Sequence, residues 1–149
     1  MSITVSLMTV DDISSMYVTV KSNQDYLAEL HPIQYLSYER FHEHYANLIS
    51  TRRILIFAIK INGMFIGAIE ADDRPNEYYV GYWIANHYRN KGIVSVALQS
   101  VMTHDLVDPK PIIADTKADN VASSRVLLKV GFIEIDRCED RIYFRLDRP

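Results

Sequence analysis

The sequence contains very little cysteine: Cys138 is the single one among 149 residues, so no disulfide can form within the chain. The cysteine and the five histidines nowhere have the spacing of a zinc site, and we expect no metal. There is also no run of about 18 consecutive apolar residues and no basic segment at the start, so no membrane span or export signal is predicted. These absences favour a cytoplasmic protein that needs no oxidising compartment and no membrane.

Neither sign of charge dominates, because 16 basic and 19 acidic residues are mixed along the chain. Without a basic stripe there is no surface to neutralise a nucleic-acid backbone, and nucleic acid is not an expected partner. Apolar residues make up 48% of the sequence, enough to bury one hydrophobic core in a chain of this length. We therefore expect one domain that covers residues 1–149.

The first third of the chain predicts one strand and two helices. Ile3, Val5 and Leu7 alternate with Thr4, Ser6 and Met8, as in a half-buried strand, and Thr9 to Asp12 resembles a helix cap. Apolar residues then recur at helical spacing in two stretches, which contain Val10, Ile13, Met16, Tyr17 and Val20, and Phe41, Tyr45, Leu48 and Ile49. An aromatic, proline-containing stretch around residues 31–33 is predicted to be a loop between these helices.

The middle of the chain predicts three strands and a helix. Residues 54–61 and 64–71 are rich in β-branched and aromatic side chains, and the Asn62-Gly63 pair between them is a strong hairpin signal. Residues 78–84 predict a third strand. The apolar residues from Val94 to Met102 then recur at helical spacing, so this strand leads through a loop with a glycine into a helix.

The last third repeats this pattern, with a strand at residues 111–116 and a helix at residues 120–130. Gly131 stands where a helix commonly ends in a left-handed glycine. Two alternating segments around residues 138–140 then predict a hairpin. The order β α α β β β α β α β β indicates an α/β (α+β) fold, with a mixed sheet of six or seven strands flanked by about four helices.

The junction at residues 89–94 has the features of an anion-binding site. The first turn of a helix presents unpaired backbone N–H groups and a partial positive charge. Gly92 permits a close approach of the backbone to a ligand, and Arg89 and Lys91 add positive charges that suit a diphosphate.

Two segments of the chain resemble motifs of a known family. The sequence Gly81-Tyr82-Trp83-Ile84, followed by Tyr88-Arg89-Asn90-Lys91-Gly92-Ile93, resembles the acetyl-CoA motif of the GNAT superfamily of N-acetyltransferases. Residues 119–127 with Gly131-Phe132 are similar to the fourth-helix motif of its Rim-type ribosomal-protein N-acetyltransferase branch. The order of helices and strands extends this resemblance over the whole chain.

The resemblance implies a GNAT fold in which acetyl-CoA binds where the sheet splays, while the acceptor enters from the opposite side. It assigns the cofactor pyrophosphate to Arg89, Asn90, Lys91, Gly92, Ile93 and Val94, and the pantetheine arm to the backbone of Tyr82, Trp83 and Ile84 and the side chains of Asn120 and Ser123. The pattern usually has Gly or Ala at the position of Val94. We expect this substitution to weaken cofactor binding slightly.

Transfer of an acetyl group to an amine favours a general base, because an amine with a pKa near ~10 is only ~0.1% neutral at pH 7. Glu70 and Glu77 are the candidate bases closest to the expected cleft. Rim-type relatives often have a glutamate where this chain has Tyr79, so a water chain or a backbone carbonyl remains an alternative. The resemblance also implies that Ser123 protonates the leaving thiolate, since Leu127 stands where many members have a tyrosine donor.

The expected activity is therefore direct transfer of an acetyl group from acetyl-CoA to a primary amine, either a protein or peptide N-terminus or a small molecule. Tyrosines that are candidates to line the acceptor pocket are Tyr35, Tyr38, Tyr78, Tyr79 and Tyr82. The alternative is a non-catalytic module that binds acyl-CoA, because the usual tyrosine and glutamate are both absent. Homodimerisation is a further candidate, since many relatives of this family dimerise.

Overall fold

A computed structural model describes residues 2–27 and 36–148, in which helices and strands follow the predicted order with one addition. The strands are β1 (Ile3–Leu7), β2 (Ile54–Ile61), β3 (Met64–Asp73), β4 (Tyr78–Ile84), β5 (Ile112–Lys117), β6 (Ile133–Cys138) and β7 (Arg141–Leu146). The helices are α1 (Ile13–Ser22), α2 (Gln24–Leu27), α3 (Tyr38–Thr51), α4 (Ile93–Met102) and α5 (Val121–Val130). The short α2 was not predicted, and the loop expected around residues 31–33 lies outside the described residues.

All seven strands form a single mixed sheet in the order β1-β2-β3-β4-β5-β7-β6. Only β4 and β5 run parallel among these neighbours, and the other five pairs are antiparallel. The prediction of a mixed sheet of six or seven strands is confirmed. The parallel pair follows from chain order, since α4 connects β4 to β5 as a crossover.

Helices cover the sheet on both faces, and each face has its own hydrophobic core. On the first face, α4 and α5 pack against alternate residues of the strands, including Phe57, Ile69 and Val80. On the second face, α1 and α3 pack against the residues between them, including Ile56, Ala58 and Ala68. Strand β2 is therefore buried on both faces, which explains its nearly continuous apolar sequence.

Local signals fix several of the element boundaries. Asn62 and Gly63 both have positive φ angles, 49° and 82°, as a two-residue hairpin turn between β2 and β3 requires. Gly131 ends α5 with a φ of 115°, and its N–H donates to the carbonyl oxygens of Leu127 and Leu128. Thr9 and Asp12 form the predicted capping box.

The sheet opens between its two parallel strands. β4 and β5 pair only at Tyr78 with Ile112 and at Tyr79 with Ile113, although both strands continue for several residues. Beyond Tyr79 the strands diverge, while β3 stays paired with β4 as far as Ile84. The fold thereby creates an opening in the sheet at the carboxyl ends of β4 and β5.

Candidate active site

A cleft of about 750 Å³ occupies the opening between β4 and β5. It brings together segments that are far apart in the sequence: the end of β3, most of β4, the loop before α4, the end of β5 and the start of α5. The predicted cofactor and catalytic residues that line it are Glu70, Tyr82, Trp83, Ile84, Arg89, Asn90, Lys91, Gly92, Ile93, Val94, Asn120 and Ser123.

Some predicted residues lie elsewhere. Glu77 precedes β4 at the end of the strand away from the opening, where its carbonyl oxygen accepts a hydrogen bond from the N–H of Arg74. Tyr78 is buried in the core, and the Tyr38 ring packs on the ring of Tyr17 with centroids 5.1 Å apart. Of the five tyrosines considered for an acceptor pocket, Tyr79 and Tyr82 line the cleft, whereas Tyr35 is outside the described residues.

The loop before α4 is shaped for close contact with a ligand. Asn90 and Gly92 both have left-handed backbone conformations, with φ angles of 61° and 77°, and Gly92 is the N-cap of α4. A Cβ atom at Gly92 would lie 3.7 Å from the Nζ atom of Lys129 on α5. Lys129 therefore brings a further cation close to this loop, which no spacing in the sequence indicated.

The packing of Val94 accounts for a branched residue at this position. Its side chain is 8% exposed and belongs to the core beneath α4 and α5, together with Ile93. The β-branch therefore fills space in the core, and the backbone of the first helical turn still lines the cleft.

Helix α5 begins at the cleft, where its first turn positions a pair of hydroxyl groups. The Asn120 Oδ1 atom accepts a hydrogen bond of 3.1 Å from the N–H of Ser123 and caps the helix. The Ser123 Oγ atom lies 2.6 Å from the Tyr82 hydroxyl on β4, which also donates to the Ser123 carbonyl oxygen at 3.2 Å. These contacts span the opening and hold Ser123 in the cleft. Leu127, one turn further on, is fully buried in the core.

Glu70 faces the cleft from β3, on the sheet face that α3 partly covers. It lies opposite Gly81 of β4 in the antiparallel register and accepts a hydrogen bond from Tyr45 of α3. Burial raises the pKa of the Glu70 carboxyl above its ordinary value, and the hydrogen bond from Tyr45 offsets part of that rise. A carboxylate with a raised pKa is a stronger base than an exposed glutamate.

A second polar cluster lies on the same face as Glu70 and was not predicted. The Tyr79 hydroxyl donates to Asp115 Oδ1 at 2.5 Å, and Arg141 of β7 donates to Asp115 Oδ2. The guanidinium of Arg74 lies 4.5 Å from the centre of the Tyr79 ring. Burial and the bond to Asp115 raise the pKa of Tyr79 above its ordinary value. A charged residue directly after the apolar run Ile112-Ile113-Ala114 was the one sequence signal for Asp115.

The two sides of the cleft therefore carry different functional groups. One side has the N-terminus of α4, the cations Arg89 and Lys91, with Lys129 close to Gly92, and the Tyr82–Ser123 hydroxyl pair. These groups suit a phosphate-bearing ligand whose reactive end reaches the opening. The other side has Glu70 with a raised pKa and the Tyr79–Asp115–Arg141 cluster. A fold of this kind, with such a cleft through a splayed sheet, defines a group transferase that binds a nucleotide-linked donor.

Residues 3–133 match the family model for the acetyltransferase (GNAT) domain, and the chain belongs to this family. The resemblance to the GNAT superfamily is thereby confirmed. Acetyltransferases of this family take the acetyl group from acetyl-CoA, and the anion-binding side of the cleft fits that donor.

Solved structures with the same fold include ribosomal-protein acetyltransferases. A RimL ribosomal-protein alpha-N-acetyltransferase in complex with coenzyme A superposes with a TM-score of 0.89, at 18% identity over 99% of this chain and 94% of that one. An acetyltransferase from Salmonella typhimurium that modifies the N-terminal serine of a 50S ribosomal subunit protein gives 0.86, at 20% identity over 99% and 96%.

A third similar structure is that of an enzyme named for a small-molecule acceptor. The aminoglycoside acetyltransferase AAC(6')-Ib in complex with coenzyme A has a TM-score of 0.76, at 19% identity over 99% of this chain and 95% of that one. Identities this low show a shared fold.

No curated protein matches the sequence significantly. Within residues 2–27 and 36–148, none of the helices has the length and apolar character needed to span a membrane.

Proposed function

We propose that this protein transfers an acetyl group from acetyl-CoA directly to a primary amine, with Glu70 as the base and Ser123 as the acid. The observation that carries the proposal is the cleft through the sheet, which holds the donor-binding loop on one side and a carboxylate of raised pKa on the other. Donor and acceptor can meet in this opening without a covalent intermediate on the enzyme.

The donor side holds acetyl-CoA through contacts spread over three elements. The backbone N–H groups of the first turn of α4 and the side chains of Arg89 and Lys91 bind the pyrophosphate. The backbone of β4 from Tyr82 to Ile84, which lines the cleft beyond the last register pair with β5, forms hydrogen bonds to the pantetheine arm. Asn120 and Ser123 face the arm from α5, so that the thioester lies close to the Tyr82–Ser123 pair.

In the reaction, the amine nitrogen attacks the thioester carbonyl carbon, a C–N bond forms and the C–S bond breaks. The Glu70 carboxylate takes a proton from the amine, directly or through a water molecule. The Ser123 hydroxyl gives a proton to the departing sulfur. The Tyr82 hydroxyl, 2.6 Å away, then turns its O–H from the Ser123 carbonyl oxygen to the Oγ atom and gives it a proton, which Tyr82 regains from water. The thiolate, with a pKa near ~8.5, leaves more readily than an amine would, so the acid contributes less than the base.

The acceptor is a protein or peptide N-terminus or a small-molecule amine. Relatives with this fold act on a ribosomal-protein N-terminus and on an aminoglycoside, so both classes belong in the test. The net charge of −3 mildly favours cationic acceptors.

The test measures release of the free CoA thiol from acetyl-CoA with a panel of acceptors: a peptide with an N-terminal serine, an aminoglycoside such as kanamycin, and spermidine. We expect at least one acceptor to be acetylated, with the product identified by mass spectrometry. Ser123→Ala should lower kcat about tenfold, less than the roughly hundredfold typical of a general acid, and should change the affinity for acetyl-CoA much less, since Ser123 is one of several groups that face the donor.

Two results would contradict the proposal in different ways. Tight binding of acetyl-CoA without release of thiol for any amine would identify the protein as a non-catalytic acyl-CoA-binding module. Full activity of Ser123→Ala would exclude Ser123 from the mechanism and would leave the proposed acetyl transfer unaffected.

The single domain, the homodimer and the cytoplasmic location stay predictions. Analytical ultracentrifugation would measure whether the protein is a monomer or a dimer in solution.

A further inference from the structure

Gly81 is an exposed glycine in the middle of β4, at the edge of the opening in the sheet. Its φ angle is not positive, so its backbone conformation is one that any residue adopts. A Cβ atom built on Gly81 meets no heavy atom within 4 Å. Glycine in a strand interior weakens the strand, because it loses more conformational freedom on folding than other residues and offers no side chain for packing. The fold itself therefore does not require a glycine here.

Gly67 on the neighbouring strand shows what a structurally required glycine looks like. A Cβ atom there would lie 2.5 Å from the carbonyl oxygen of Trp83 and 3.0 Å from the Cα atom of Ile84. Any side chain at Gly67 would push β3 away from β4. Gly81 is free of this constraint, although both glycines lie in central strands of one sheet.

The space above Gly81 lies on the acceptor side of the cleft. Residues directly opposite in an antiparallel pair project to the same face, so the missing side chain of Gly81 would lie beside Glu70. Tyr79 and Trp83, two residues away on either side, project to that same face. On the other flank β5 has already separated from β4, and Asp115 forms the far wall.

The adjacent residue faces the donor. Tyr82 projects to the opposite face of the sheet, where its hydroxyl contacts Ser123 of α5. An amine that approaches Glu70 and attacks a thioester near Ser123 must therefore pass through the opening between β4 and β5, alongside Gly81. Reacting atoms have to come within ~3.5 Å of each other, so even a small obstruction at this point would keep them apart.

We propose that Gly81 keeps open the passage through which the acceptor amine reaches the thioester, and that the missing side chain determines acceptor access. The inference rests on the proposed acetyl transfer and adds a residue that controls the acceptor without binding the donor.

The experiment compares the wild type with Gly81→Ala, Gly81→Val and Gly81→Leu, using the panel acceptor on which the wild type is most active. We expect kcat/KM for that acceptor to fall progressively, by about tenfold or less for Ala and by more than a hundredfold for Leu. The dissociation constant of CoA, measured by calorimetry, should stay within twofold of the wild-type value. The midpoint of thermal unfolding should be unchanged or higher, since a strand glycine is replaced without a clash.

Ser6→Leu is the matched control, because Ser6 is an exposed residue of β1, three strands away from β4. It adds a comparable side chain to the same sheet and should leave acceptor kinetics unchanged. Wild-type kinetics in Gly81→Leu would overturn the inference. A loss of CoA affinity parallel to the loss of activity would do so too, by placing Gly81 on the donor side. If the wild type acetylates no amine, the proposed function itself fails, which is a separate outcome.

Discussion

Glu70 combines two properties at the scale of a single residue: it faces the cleft, and its surroundings favour the protonated carboxyl. Burial raises its pKa, and the hydrogen bond from Tyr45 limits the rise. Because a base acts only when deprotonated, the activity should increase with pH as Glu70 loses its proton. Glu77, the other glutamate considered as a base, is not among the residues that line the cleft.

We expect Glu70→Gln to lower kcat by about 10² to 10⁴, the range of a general base, and to remove the ascending limb that Glu70 contributes to the pH–rate profile. Tyr45→Phe removes the bond that lowers the Glu70 pKa and should move this limb to higher pH. The measurement is kcat/KM against pH with one acceptor, so that the titration of the amine is common to all variants. An unchanged profile in both variants would exclude Glu70 as the base, and Glu77→Gln serves as the matched control.

The same shift affects stability with a defined sign. A carboxyl whose pKa is higher in the folded than in the unfolded state stabilises the fold at low pH, and this contribution is lost as the pH rises through the folded-state pKa. Glu70→Gln has no such titration. The free energy of unfolding of Glu70→Gln should therefore increase relative to that of the wild type as the pH increases from acid to neutral.

At the scale of the element, α5 contributes to the proposed donor site through both of its ends. Its first turn holds Ser123 in the cleft through the Asn120 cap, and its last turn brings Lys129 close to Gly92. A helix of ten residues thus places a hydroxyl at the opening and a cation beside the loop before α4. The Asn120 cap is local to the helix, whereas the position of Lys129 beside Gly92 depends on how α5 packs against α4.

Lys129→Gln should weaken CoA binding by about two- to fivefold at low salt, the effect expected for one exposed charge pair. The effect should shrink as salt is added, because exposed charges are screened. Calorimetric titration of CoA at two ionic strengths measures it. Lys21→Gln on α1 is the control and should leave affinity unchanged. A salt-independent loss in Lys129→Gln would point to altered packing of α5 instead of lost charge.

At the scale of the whole molecule, the proposed donor site lies between two halves of a sheet that share only a short parallel pairing. β1 to β4 lie on one side of the opening and β5, β7 and β6 on the other, joined by two register pairs. A ligand that contacts β4, the loop before α4 and α5 bridges both halves. Binding should therefore stabilise the complete fold.

Acetyl-CoA at 100 times its dissociation constant should add about 2.7 kcal/mol to the free energy of unfolding, which corresponds to roughly 5–10 °C for a domain of this size. Thermal unfolding followed by circular dichroism, with and without acetyl-CoA, measures this shift. Adenosine monophosphate at the same concentration is a control that lacks the pyrophosphate and the pantetheine arm. A midpoint unaffected by acetyl-CoA would argue against the donor site and against every proposal that depends on it.

Sequence alone determined the features that rest on local physics. Strand and helix periodicity, the Asn62-Gly63 turn, the glycine at the end of α5 and the anion-binding character of residues 89–94 all depend on residues close in the chain. Such signals predict the elements and the donor loop, because backbone conformation, caps and amphipathic faces are set over a few residues.

Tertiary structure alone decided which side chains meet in the cleft. Asp115 binds Tyr79 and Arg141 across three strands, and Lys129 reaches Gly92 from another helix. From the sequence, Glu70 and Glu77 were equally good candidates for the general base. The register of β3 with β4 brings Glu70 opposite Gly81 and into the cleft. These pairings depend on where β5 leaves β4 and on how the helices pack, which are long-range properties of the fold with no signature in a short segment.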